Sequence, residues 1–94
     1  MPYLNENHNA FKMNLYQFNF YSLDKRAEMV WKHGSFLAIR HDGGYSVVLY
    51  HMGEFFAEVW YSSANNQAHT VRGFKSRKLL EPYLELIRLE DLVG

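Results

Sequence analysis

The stretch FLAIRHDGGYSVVLYHMGEFFAEVWYSS, residues 36–63, decides the fold of this 94-residue chain. It is rich in β-branched and aromatic residues, and Asp-Gly-Gly and Met-Gly divide it at positions typical of turns. A similar run, AHTVRGFK, follows at residues 68–75, after Asn65-Asn66, a pair that tolerates positive φ and suits a hairpin turn. The pattern predicts four antiparallel strands connected as a meander.

The first hairpin determines the expected register of the strands. A three-residue loop made of Asp42, Gly43 and Gly44 would connect the first two strands. The pairs expected from this loop are His41 with Tyr45, Ile39 with Val47, and Leu37 with Leu49.

Helical signals lie on both sides of the strand region. Ser22 is a favourable N-cap and Asp24 complements the helix dipole, so a helix is predicted over residues 23–33. Its apolar stripe consists of Leu23, Ala27, Val30 and Trp31. Leu15 and Phe18 are expected in a short turn that precedes this helix and folds over the same core.

The second helical segment follows the strands. Ser76 is its expected N-cap, but Pro82 lacks an amide hydrogen and would crowd the preceding turn of a continuous helix. We therefore expect a turn through Leu80 and a helix over residues 82–87. The fold class is α+β with the order α-β-β-β-β-α, and both helices are expected on one face of the sheet.

The organisation predicted is a single domain over residues 13–94, preceded by a polar, flexible extension over residues 1–12. Whether Met1 or Met13 is the native start is left open. No apolar run approaches the length of a membrane span, and the N-terminus does not have the profile of a signal peptide, so we expect a cytoplasmic protein with no membrane partner.

Composition limits the chemistry that the chain can carry. The ten basic and ten acidic residues give a net charge of zero, which disfavours a protein held mainly by phosphate contacts. The absence of cysteine excludes disulfides, thiolate catalysis and cysteine-bound zinc. The five histidines show no metal-ligand spacing, and we predict neither a cofactor nor a metal.

No motif in the sequence indicates a reaction. His41 with Asp42, and His51 with Glu54, have the composition of acid–base pairs, but both lie next to hairpin turns, where polar residues accumulate. No nucleophile accompanies them, so no catalytic residue is predicted and we favour a non-enzymatic protein.

The third strand suggests an interaction surface. Large apolar residues occupy both faces of the central strands, although helices on one face could cover only half of them. The predicted interface consists of Tyr50, Phe56, Glu58 and Trp60. If this face is buried, Glu58 requires a partner, with Arg40 or Arg72 as candidates; if the face is open, Glu58 opposes aggregation.

Two alternatives remain beside self-association. A basic run could support binding of single-stranded nucleic acid together with the exposed rings. This run contains Arg72, Lys75, Arg77 and Lys78. A small-molecule site in a pocket between sheet and helices is the other alternative.

The pattern also resembles a group of short bacterial proteins of unknown function over residues 13–92. The matching segments are Leu23–Gly34, Phe36-Leu37, Leu49-Tyr50, Phe55–Tyr61 and Leu80–Leu84. Arg26 departs from the group, which has Lys or Glu at this position. The resemblance implies domain boundaries but no activity. The sequence thus predicts a cytoplasmic interaction module that forms a homodimer or binds another protein.

Overall fold

The computed structural model describes residues 13–87, so the predicted extension over residues 1–12 lies outside the described part. The elements are α1 (Leu15–Phe20), α2 (Leu23–His33), β1 (Ser35–Asp42), β2 (Tyr45–His51), β3 (Phe56–Ser62), β4 (Ala68–Phe74) and a 3-10 helix (Arg77–Tyr83). The strands form one antiparallel sheet in the order β1-β2-β3-β4. The α+β class and the four-stranded meander are thereby confirmed.

Side-chain caps define the beginnings of both α-helices. The Asn14 side chain accepts a hydrogen bond of 2.8 Å from the Gln17 amide, and the Gln17 side chain accepts one from the Asn14 amide. The Ser22 hydroxyl accepts from the Lys25 amide at 3.2 Å, and α2 has the predicted bounds. The turn predicted at Leu15 and Phe18 is helix α1, in which Phe18 is fully buried.

The predicted register of the first hairpin is wrong by one residue. Asp42 pairs with Tyr45, so only Gly43 and Gly44 form the turn, and Ile39 lies opposite Val48. The tight turn is possible because Gly43 adopts a φ of 61°, which costs glycine little.

The same one-residue shift pairs Ala38, instead of Leu37, with Leu49. A bulge between Phe36 and Ala38 then shifts the register back by one residue, so that Phe36 pairs with Tyr50. At the third hairpin, Asn66 has a φ of 61°, as its residue type predicts.

The sheet is covered on both faces, by different parts of the chain. On the first face, which we call the helix side, α1 and α2 pack over Ala57, Val59 and Val71. On the opposite face, the 3-10 side, Leu80 and Tyr83 form a second core. The members of this second core that the sheet contributes are Ala38, Val47, Leu49 and Phe74. The expectation that both terminal helices share one face is therefore wrong.

The C-terminal segment also differs from its predicted form. A 3-10 helix runs through Pro82, whereas an α-helix would bring the proline ring against the carbonyl of Lys78. The 3-10 helix has about three residues per turn, which places Leu80 and Tyr83 on the same side, towards the sheet. Their burial explains why the central strands are apolar on both faces.

Candidate functional site

The four residues of the predicted interface lie on two different surfaces. Phe56, Glu58 and Trp60 alternate along β3 and face the 3-10 side, where the chain's own C-terminal segment packs. Tyr50 of β2 lies on the helix side. The structure thus brings Phe56, Glu58 and Trp60 together on one face. Glu58 is fully buried there, with 0% of its surface exposed.

Glu58 is held by donors from four other side chains. Arg72, directly opposite in β4, donates through Nε at 3.1 Å and Nη2 at 2.7 Å, both to Oε1. Trp60 Nε1 donates to the same oxygen at 3.2 Å. The other oxygen, Oε2, accepts from Tyr83 Oη at 2.5 Å and from Arg40 Nη2 at 3.4 Å. Both arginines named as candidate partners therefore reach Glu58.

These contacts keep the carboxylate ionised in a buried position. Burial alone would raise the pKa of Glu58, but hydrogen bonds from Tyr83, Arg72 and Trp60 outweigh it and hold the pKa below its ordinary value. Burial, followed by the hydrogen bond to Glu58, raises the pKa of Tyr83, so that its hydroxyl remains a donor. Charge-assisted bonds of this kind are stronger than neutral ones.

Arg40 extends the network to strand β1 and to two aromatic rings. Its guanidinium carbon lies 5.3 Å from the ring centre of Trp60 and 5.1 Å from that of Tyr83. Arg40 also contacts Asp42 at 3.2 Å. These distances are within the range of cation–π interactions. The cluster therefore connects β1, β3, β4 and the 3-10 helix. The contacts of Glu58 within it stabilise the fold.

A small open pocket lies beside this cluster, on the 3-10 side. Its volume is about 280 Å³. The lining residues are Tyr45, Trp60, His69, Thr70 and Arg72. Sequence analysis named Trp60 and Arg72 as candidate residues but not Tyr45 or His69. The pairing of β2 with β3 brings Tyr45 to the pocket, and the bulge between β3 and β4 at Trp60 and Tyr61 brings His69 there.

The predicted basic run does not form a single surface. Arg72 points to the 3-10 side, where it is bound to Glu58, whereas Lys75 lines a groove with Leu15 and Tyr16 of α1 on the helix side. Arg77 and Lys78 are exposed at the start of the 3-10 helix. The prediction grouped these cations because they are close along the chain. In the structure, the side chains of Arg72 and Lys75 lie on different faces of the sheet.

A different apolar patch remains exposed on the helix side. It consists of Trp31, Phe36 and Ile39, which are 59%, 61% and 45% exposed. We call these three residues the β1 patch. Phe36 pairs with Tyr50, and their ring centres lie 6.4 Å apart.

Hydrogen-bonding groups of aromatic side chains lie beside the β1 patch. Trp31 Nε1 donates to the hydroxyl of Tyr61 at 3.2 Å. Burial, and then the neighbouring Tyr61 hydroxyl, raises the pKa of Tyr50. The sequence did not indicate Phe36 and Ile39 as neighbours on one face, because the bulge that brings Phe36 to the face of Ile39 has no clear sequence signal.

Residues 13–87 contain no group of three or more His, Asp or Glu side chains that could hold a metal ion. The same residues include no helix with the length and hydrophobicity needed to cross a membrane. Comparison with protein-family models, with curated proteins and with solved structures finds no match to this chain. The resemblance to short bacterial proteins remains a prediction.

Proposed function

We propose that this protein is a non-enzymatic cytoplasmic interaction module that forms a homodimer through the β1 patch. The observation that carries the proposal is the exposure of Phe36 and Ile39 on β1 together with Trp31 of α2. Trp31 is linked to Phe36 through the rings of Tyr61 and Tyr50. The 3-10 side is covered by the chain itself around Phe56 and Glu58, so the surface available for association is the other one.

Symmetry favours a second copy of the chain as the partner. A two-fold axis near Ile39 makes the two β1 strands antiparallel and places Phe36 and Ile39 of one copy against the same residues of the other. The exposed charges Lys32 and Asp42 are each already paired within the chain, so the contact between copies is mainly apolar.

The overall charge gives the same indication. A net charge of zero leaves little electrostatic repulsion between identical copies. Three exposed apolar side chains form a small contact surface, which is typical of weak association. We expect a dissociation constant on the order of micromolar, corresponding to about 8 kcal/mol.

Light scattering over a range of protein concentrations tests the proposal. The full chain should change from its monomer mass of 11.2 kDa towards twice that value as the concentration rises. Phe36→Lys should remain a monomer, because it places a charge in the apolar contact. Phe20→Lys is the matched control, since Phe20 is a similarly exposed aromatic residue on α1.

Two results would contradict the proposal. One is a constant monomer mass at all concentrations up to the millimolar range. The other is a dimer that Phe36→Lys and Phe20→Lys weaken equally, because association would then not depend on the β1 patch.

A further inference from the structure

The pocket on the 3-10 side has features of a ligand site. The proposed association of two copies does not involve this pocket. We propose that it binds a small aromatic anion, a planar ring that carries a phosphate or a carboxylate. Its volume of about 280 Å³ lies just below the usual range for ligand pockets, about 300–1,000 Å³, so a single ring system with one anionic group is the appropriate size.

Rings form the apolar walls of the pocket. Tyr45 meets Trp60 edge to face, with ring centres 5.7 Å apart and an interplanar angle of 68°. On its other side Tyr45 contacts the ring of His69 at 5.2 Å. A planar ligand can pack against these walls with the offset or edge-on geometry that aromatic groups prefer.

The wall formed by Trp60 is already held in place before a ligand arrives. Its Nε1–H is bonded to Glu58 and the guanidinium of Arg40 lies over its ring. A ring that is fixed in this way loses little conformational entropy on binding. The Glu58 network therefore prepares the pocket as well as stabilising the fold.

Arg72 supplies the group that would bind the anion. A guanidinium has five N–H donors, and Arg72 directs Nε and Nη2 towards Glu58. Both hydrogens of Nη1 and the second hydrogen of Nη2 point away from this contact. Because the side chain is 43% exposed, this free edge of the guanidinium can bind a phosphate or carboxylate through two parallel hydrogen bonds.

The charges around the pocket favour an anion. Among the described residues, its lining includes the cation Arg72 and no carboxylate side chain. Glu58 lies behind the lining and is shared between Arg72 and Arg40, and Arg40 is also paired with Asp42. Arg72 is therefore the cation of this network that reaches the pocket. Thr70 adds a hydroxyl within 2.7 Å of His69 Nδ1.

Tryptophan fluorescence can test the proposal in the full chain. The protein contains two tryptophans, so Trp31→Phe leaves Trp60 as the reporter of this pocket. We expect saturable quenching by adenosine 5′-monophosphate or by benzoate, and the ligand that binds identifies the anionic group as phosphate or carboxylate. Adenosine, which lacks the anion, and inorganic phosphate, which lacks the ring, should bind at least about tenfold more weakly.

Two variants test the aromatic wall and the anion-binding group of the pocket, and urea unfolding of each checks that the fold is retained. Tyr45→Leu removes an aromatic wall without removing a hydrogen-bond donor to Glu58, and should weaken binding about tenfold. Arg72→Lys keeps the charge but loses the paired donors, and should weaken binding by a similar factor.

The proposal is overturned if neither ligand gives saturable quenching. It is also overturned if adenosine or phosphate alone binds equally well, or if Tyr45→Leu binds as tightly as the parent. Light scattering of the chain that retains Trp31 reports independently on association through the β1 patch.

Discussion

At the scale of single residues, Glu58 connects three parts of the fold: β1 through Arg40, β4 through Arg72 and the C-terminal segment through Tyr83. The sequence indicated the two arginines, because they lie on strands and have the complementary charge. It could not indicate Tyr83, which is 25 positions away and belongs to a segment whose packing face the sequence does not determine.

We predict that Glu58→Gln destabilises the protein by about 2–4 kcal/mol. The change leaves Arg40 and Arg72 without their shared carboxylate; removing one partner of a buried pair costs about 3–5 kcal/mol, and the partial exposure of Arg72 reduces this cost. Urea unfolding measures the difference. Glu28→Gln is the control, because its pairs with Lys25 and Lys32 are exposed and the change should cost much less than Glu58→Gln. Equal costs for the two substitutions would show that Glu58 has no special role.

The same carboxylate should make stability depend on pH in the acid range. The pKa of Glu58 is below its ordinary value of 4.5 in the folded protein, so the folded state binds this proton less readily than the unfolded state. The stabilisation is therefore complete above the unfolded pKa and is lost as the pH falls through the lower folded pKa.

Comparison with Glu58→Gln separates this effect from that of other acids. The difference in unfolding free energy between the parent and the variant should be constant near neutral pH and decrease below about pH 4.5. Urea unfolding at a series of pH values checks this. A difference that stays constant well into the acid range would contradict the depressed pKa.

At the scale of elements, the sequence predicted each strand and the helix over residues 23–33, because strand alternation, helical stripes and caps are local signals. The register of the first hairpin was not predictable in the same way. It depends on whether Asp42 belongs to the loop or to the strand, and Gly43 permits the tighter turn. The position of the C-terminal segment depends on long-range packing of Leu80 and Tyr83.

The two glycines of the turn provide a matched test of this geometry. Gly43→Ala should destabilise the protein by about 1 kcal/mol, because Gly43 has a positive φ that other residues adopt at a cost. Gly44→Ala should have little effect, since its φ is not positive and a Cβ there would lie 3.9 Å from the Ser63 hydroxyl. Thermal unfolding compares the two variants. A larger loss in Gly44→Ala would contradict the two-residue turn.

At the scale of the whole molecule, the two faces of the sheet differ in how the chain covers them. The 3-10 side is covered by the C-terminal segment of the chain, with an open pocket at Tyr45 and Arg72. The helix side leaves the β1 patch exposed. The sequence correctly indicated that the central strands are apolar on both faces. It could not indicate which face the C-terminal segment covers, because this depends on the direction that the chain takes after β4.

Disulfide cross-linking through a cysteine at position 39 tests the central proposal most directly. The chain has no cysteine of its own, so Ile39→Cys introduces a single thiol. A two-fold axis near Ile39 brings the two thiols together, and we predict a covalent dimer under mild oxidation. Phe20→Cys, at a more exposed position on α1, should remain monomeric. Equal cross-linking of both variants, or none in Ile39→Cys, would contradict association through the β1 patch.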